Sequence, residues 1–440
     1  MPSVADSELL TRVGPGTPIG NMMRQYWLPA CRSDELVAGG APLRLMLLGE
    51  PLIAWRDTLS QVGIMDHRCP HRRASLFFGR NEEGGLRCVY HGWKFDVTGK
   101  CLEQANVPER FANPEKTPAN AYQAAERNGI VWAYLGARAE APPLPCFEAV
   151  ALPEAETMSF WVQRDCNWLQ ALEGDIDTSH VGFLHDGKLM PEQLAENTLH
   201  RWALANRSPE YQVADMPWGT MYGAHRDATA GNIYYRFAHF MFPCWALIPA
   251  GDFNHYVTAR AWVPMDDTHT MFIHFAWKQN IAPVRTRIDG TIMPGAGGLP
   301  KYLPKTTGWY GRWRPVLNAG NDYGIDRAAQ AESFTGIEGI HIQDQAVTES
   351  MGPITDHENE HLTVSDLMIA RTRQRLLRAA KALRDDGEMP PAVEDPEICL
   401  GARSGDFIAP ASLSWREAYA AEIRKSVSPT GLLRVPEAAE

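Results

Sequence analysis

The spacing of apolar residues changes character along the chain. Residues 43–58 (LRLMLLGEPLIAWRDT) carry apolar runs on either side of Gly49-Glu50, which predicts two strands joined there. Short strand-like runs broken by Gly, Asn and Asp continue to about residue 136, so the first part reads as all-β. The stretch EAPPLP, residues 140–145, can be neither a regular helix nor a central strand, because proline lacks the amide donor; it marks a linker or domain edge. A second region opens near residue 155. Residues 168–185 predict a helix, and residues 232–277 alternate aromatic and polar positions as antiparallel strands of a broad sheet do. Residues 280–325 are rich in Gly and Pro and have no period; a loop of that length is either functional, such as a lid, or disordered. Residues 365–386 form an amphipathic helix with Leu367, Ile369, Ala370, Leu376, Leu377, Ala380 and Leu383 as its apolar set and Gly387 as its stop. No internal repeat is present. The pattern predicts an α+β protein with an all-β domain over 1–145 that includes an N-terminal helical extension, and a larger domain of antiparallel sheet and helices over 146–440.

A chain of 440 residues buries a large core without help from disulfides or metals. Its net charge of −11 argues against a nucleic-acid partner, which would need a basic face, while leaving room for a local basic patch that meets an acidic redox protein. No run approaches the roughly 18 apolar residues of a membrane span. The opening MPSVADSELL has two acids and no basic residue, unlike a secretory signal, so the expected compartment is the cytoplasm. There the eight scattered cysteines are free thiols or metal ligands.

Two of those cysteines stand in a metal-binding pattern. Cys69-Pro-His71 and Cys88-Val-Tyr-His91 read C-x-H, sixteen residues, C-x-x-H. Structural zinc sites pair Cys with Cys and His with His. Interleaving instead suits a [2Fe–2S] cluster with two thiolates on one iron and two imidazoles on the other. With their flanks, CPHRRASL and CVYHGWKFD, the segments resemble the Rieske motif of ring-hydroxylating oxygenases. The resemblance implies that Cys69 and Cys88 bind one iron and His71 and His91 the other. Respiratory Rieske proteins carry extra cysteines in these loops and a serine after the second His-Gly. Here Arg72, Arg73 and Trp93 stand in those places, which implies fewer hydrogen bonds to the cluster and a lower reduction potential.

A second pattern follows. Asp177, His180 and His185 lie within one predicted helix, and Asp177 and His180, three apart, share a face. His180 and His185, five apart, diverge by about 140° on an ideal α-helix, and converge only if the helix winds toward π or ends there. Gly182 between them would make such a distortion cheap. Zinc proteases use H-E-x-x-H with a glutamate base, which is absent here. Two imidazoles and a carboxylate are the ligand set of non-haem Fe(II) oxygenases. Glu173-x₃-Asp177-x₂-His180-x₄-His185 resembles the mononuclear-iron motif of the same oxygenase family. That resemblance makes His180 and His185 ligands and Asp177 a link to a Rieske histidine, His91, of a neighbouring subunit. It also implies a third ligand from a late helix. Asp344 in IQDQAVTE fits best, although Gln343 departs from the usual glutamate, with Asp356 and Glu349 as alternatives.

Over residues from GTPIGNMMRQYWLPA to about 355 the chain resembles phthalate 4,5-dioxygenase-type oxygenase components. The resemblance implies a Rieske domain on a helix-grip catalytic domain and a trimer or stacked trimer (α₃ or α₃α₃) without β subunits. It also implies a flavin and iron–sulfur reductase, acting directly or through a ferredoxin, and O₂-dependent hydroxylation, dihydroxylation or ether cleavage of a small aromatic compound. Arg72, Arg73 and Lys94 are the expected docking residues for the reductase. The expected pocket walls are Phe237, Phe240, Phe242, Trp245, Leu247, Phe272 and Phe275. A dicarboxylate would need paired arginines. Arg207 is one candidate, and Arg236, Arg260 and His255 lie in the same region of sequence. An aromatic monoacid or aryl ether is therefore expected over phthalate.

Overall fold

The computed structural model describes residues 3–281, 286–293 and 295–436. Two short helices open the chain, α1 (Val4–Thr11) and α2 (Pro18–Met23). Each has a side-chain N-cap: Ser3 accepts from the Asp6 amide, and Thr17, followed by Pro18 at the first helical position, accepts from the Gly20 amide.

Ten strands follow in two sheets. β1 (Trp27–Arg32), β2 (Leu43–Leu47), β3 (Glu50–Arg56), β4 (Val62–Asp66), β9 (Ala121–Arg127) and β10 (Ile130–Tyr134) pair in the order β1-β10-β9-β4-β3-β2. β5 (Arg80–Glu82), β6 (Gly85–Arg87), β7 (Trp93–Phe95) and β8 (Cys101–Gln104) form a small separate sheet. The expected hairpin is present, with Leu48 and Gly49 turning at positive φ (48° and 74°). Residues 140–145 have no regular structure, as the prolines require.

The sheet of the second domain has eight strands: β11 (Thr157–Arg164), β12 (Glu210–Met216), β13 (Gly219–Asp227), β14 (Asn232–Met241), β15 (Trp245–Leu247), β16 (Thr258–Pro264), β17 (Thr270–Trp277) and β18 (Gly405–Pro410). The helices of this part are α3 (Glu148–Ala151), α4 (Trp168–Asp175), α5 (His200–Ala205), α6 (Gln330–Ser333), α7 (Ile340–Ser350), α8 (Leu367–Asp386) and α9 (Trp415–Ile423). α4 and α7 lie on one face of the sheet, reached from it by Arg260 and Trp262 to Asp175 and by Arg164 to Thr348. α9 packs on the other face, through Trp415 and Tyr419 on Phe237.

α8 ends at Gly387 (φ 70°), as expected, but its buried face is Met368, Thr372, Arg373, Leu376 and Ala380, while Leu367 is exposed. The period-free stretch 280–325 includes residues outside the described ones. Its later part is tied to the first domain: Lys305 and Arg312 pair with Glu35, Arg44 donates to the Thr307 carbonyl, and Trp309 packs edge-on against His67.

The helical extension leans on the second domain. Asp6 pairs with Lys381 of α8, Ser7 meets His357, and the Thr11 carbonyl accepts from Asn167, the N-cap of α4. Among the described residues no helix is long and apolar enough to cross a membrane.

Candidate metal centres

The two Cys/His loops fold alike. The Cys69 amide donates to Ala74 O and the Arg73 amide returns to Cys69 O; likewise the Cys88 amide donates to Trp93 O and the Gly92 amide to Cys88 O. Each loop thus closes four residues after its cysteine on a left-handed residue, Arg73 (φ 61°) or Gly92 (φ 77°). The thiols of Cys69 and Cys88 are buried, while His71 and His91 are half-buried with ring centroids 4.5 Å apart. Trp93 stacks flat on His71 at 4.6 Å, a role invisible in the motif. The amides of His71 and Arg72 point at Cys69 Sγ, but burial prevails and holds this thiol up at about 11, with Cys88 adding to the rise. A cation is what would favour the thiolate there. Two thiols on one side and two imidazoles on the other fit a two-iron cluster better than a single ion. All eight cysteines are free of disulfides. Arg72 and Arg73 are exposed beside this tip, but Lys94 is buried and paired with Glu83, which corrects the expectation that it docks a reductase.

In the second domain the predicted helix 168–185 breaks. α4 stops at Asp175, and Asp177 lies beyond it, its carboxylate accepting from the amides of Ser179 and His180. Asp177 and His180 therefore do not share a helical face; they are joined by a hydrogen bond of 3.2 Å from His180 Nδ1. Val181–His185 is a single π turn, closed by the Asp186 amide on Val181 O. This winding brings His180 Nε2 and His185 Nε2 to 3.1 Å. Gly182 serves the turn differently from expectation. It needs no positive φ; a Cβ there would press on the Arg207 stem at 3.2–3.3 Å. The Arg207 guanidinium donates to the carbonyls of Gly182, Gly187 and Leu189, so it clamps the π turn.

Asp344 arrives from α7, with Oδ1 3.1 Å from His185 Nε2 and 3.7 Å from His180 Nε2. Neighbouring ligands of an octahedron with bonds of about 2.1 Å stand about 3.0 Å apart, so these three atoms can hold one ion on a single face. Gln343, where a glutamate was expected, accepts from His185 Nδ1 (2.7 Å) and donates to the carbonyls of Ile337 and Gly295 (2.8 and 3.2 Å). An amide does both; a carboxylate could not donate. Burial acts to raise the Asp344 carboxyl, but His185 and then His180 outweigh it and hold it well below the usual range. Burial likewise opposes the charged form of His180, and Asp177 more than restores it, raising His180 overall.

The alternatives for the third carboxylate fall elsewhere. Asp356 caps an exposed turn, and Glu349 accepts from Tyr323, Gln345 and the Asp165 amide. Another convergent group, Glu173, His357 and Glu360, already holds the Arg373 guanidinium between its two carboxylates and is an ion-pair cluster.

A cavity of about 240 Å³ opens beside His180 and Asp344, with Leu184, Trp262, Val347 and Ile369 as apolar lining. None of the seven expected wall residues lines it. Strand alternation explains why. Phe237, Trp245, Leu247 and Phe275 point from the opposite face; Trp245 packs on Trp132 and Phe147. Phe240 and Phe272 face the helices but stand outside the lining, and Phe242 lies under Arg375.

Residues 26–115 match the Rieske [2Fe-2S] domain family, and residues 133–432 the family described as LigXa C-terminal domain like. The chain is 49% identical over 424 residues to the 3-chlorobenzoate-3,4-dioxygenase oxygenase subunit of Comamonas testosteroni, covering 94% of this chain and 97% of that protein. It is 36% identical over 435 residues to the phthalate 4,5-dioxygenase oxygenase subunit of Pseudomonas putida, covering 93% of each. Its fold resembles Pseudomonas putida CBB5 NdmA (TM-score 0.54, 18% identity, 90% of this chain and 100% of that one). Dicamba monooxygenase is a second structural relative (TM-score 0.53, 17% identity, 83% and 99%). Matched nearly end to end, with the Rieske domain ahead of its catalytic partner, the chain belongs to the Rieske non-haem iron oxygenases, as the oxygenase component of an oxidoreductase that uses a [2Fe–2S] cluster and a mononuclear iron.

Proposed function

We propose that His180, His185 and Asp344 hold the mononuclear iron, that Cys69 and Cys88 hold one cluster iron and His71 and His91 the other, and that the enzyme hydroxylates the ring of a small aromatic monoacid. The convergence of three ligand atoms within 3.7 Å at the wall of a cavity carries the reading. The likeness to a subunit named for 3-chlorobenzoate favours a monoacid and ring dioxygenation. Arg207, expected as a partner for a second carboxylate, is spent on backbone carbonyls, which disfavours phthalate.

When bound, the cluster supplies electrons singly and the iron activates O₂. The chain's own residues prepare the site. Gln343 accepts a hydrogen bond from His185 Nδ1 and Asp177 one from His180 Nδ1, so both Nε2 atoms stay turned toward Asp344. Trp262, Val347 and Leu184 give the cavity apolar lining beside the site.

Asp177 is also the bridge to His91 of a neighbouring subunit. Among the described residues, no hydrogen bond or ring contact joins the two centres within one chain, and His91 sits at an exposed tip beside Val89 and Tyr90. This arrangement supports an α₃ or α₃α₃ assembly, with the reductase docking near Arg72 and Arg73. The division near residue 145 and a cytoplasmic setting, with its free thiols, belong to the same reading.

The test is an anaerobic assay of iron, zinc and acid-labile sulfide, followed by substrate-dependent O₂ uptake with a reductase. An iron-to-sulfide ratio near 3:2 without zinc is expected. A ratio near 1:1 that added Fe(II) does not raise would remove the second centre.

A further inference from the structure

The sheet face beneath the iron site is unusually polar. β16 and β17 present Arg260 and His274 as direct cross-strand partners, and α7 lowers His341 onto them. Arg260 Nε, His274 Nδ1 and His341 Nδ1 are all buried without a hydrogen-bond partner. Arg260 Nε is a donor, and each imidazole Nδ1 is one in the tautomer that carries its proton there, so the three together can face one shared acceptor.

We propose that Arg260, His274 and His341 form the carboxylate-binding subsite of the substrate pocket. The inference rests on the aromatic-acid reading above and deepens it.

Charge permits it. Two guanidiniums, Arg164 and Arg260, lie on this face. Asp175 pairs with Arg260 through Nη1, and Asp344, directed at the two ligand histidines, also feels Arg164. Two acids thus offset the two guanidiniums, and it is the unpaired nitrogens rather than a surplus charge that a carboxylate would satisfy.

Shape agrees. His274 and His341 are only half-buried although they lie between sheet and helix, so there is space around them. Asp175 and Trp262, which adjoin the cluster, also line the 240 Å³ cavity. Phe160 stands 4.9 Å from His274 and 4.8 Å from His341, and Phe272 stands 5.3 Å from His341. Phe160 and Phe272 thus flank the two imidazoles from outside the lining of the cavity. His341 and Asp344 are three residues apart on α7, about 4.5 Å along its axis. That is close to the span of a benzoate from its carboxylate to the far half of its ring.

The experiment is calorimetric titration of the metal-loaded enzyme with benzoate and with its neutral analogue benzamide. Wild type is compared with His274→Leu, His341→Leu and Arg260→Lys; the last keeps a cation for Asp175 should the others fold poorly. Each variant is expected to weaken benzoate about tenfold or more and to leave benzamide within about threefold. Benzoate binding at wild-type strength in all three overturns the subsite while leaving an aromatic-acid substrate standing. Benzamide binding more tightly than benzoate to wild type overturns both.

Discussion

At the scale of single residues, the site is held by hydrogen bonds that the motif alone does not announce. Asp177→Asn is expected to keep the full complement of iron and sulfide while abolishing turnover; full activity in that variant would end its bridging role. Gln343→Leu removes the acceptor that orients His185 and should weaken Fe(II) affinity about 10–100-fold. Fe(II) titration with the sulfide content unchanged checks this. The metal-binding residue types were legible because soft and hard ligands at fixed spacing have few other uses. Trp93 on His71, Arg207 on the π turn and the true setting of Lys94 were not, since each depends on chain brought together from afar.

At the scale of elements, local pattern read well and orientation read poorly. The hairpin at Leu48-Gly49 and the helix ending at Gly387 follow from residues in contact along the chain. Convergence of His180 and His185 required π winding, and a π turn is what forms. Which side of the sheet an aromatic faces, however, depends on the register of β14 to β17, and a list of aromatics carries no register. Gly387→Ala places a Cβ at φ 70° with open space around it, so its cost is purely conformational, about 1 kcal/mol. A lowered midpoint of urea unfolding, with activity intact, is the expected result.

At the scale of the whole molecule, stability should fall on mild acidification. Burial depresses His239 to about 4, so the folded state excludes a proton that the unfolded state accepts below about 6.5. That share of stability is present above about 6.5 and is lost as pH falls toward 4. The urea midpoint should therefore drop between pH 7 and pH 5, and a constant midpoint would contradict this. Arg403 and Glu148, buried as a pair, join the β18 region to α3; Arg403→Met strands the carboxylate and should cost about 3–5 kcal/mol, read as a fall in melting temperature. The helical extension has a consequence in time. Asp6 and Ser7 find their partners at Lys381 and His357, some 350 to 375 residues later. At about 5–20 residues per second, a ribosome needs roughly 20–75 s to deliver those partners. α1 can meet Asn167 earlier, but its contacts with α8 and His357 form only once those residues have emerged, so complete docking of α1 reports that the chain behind it is in place.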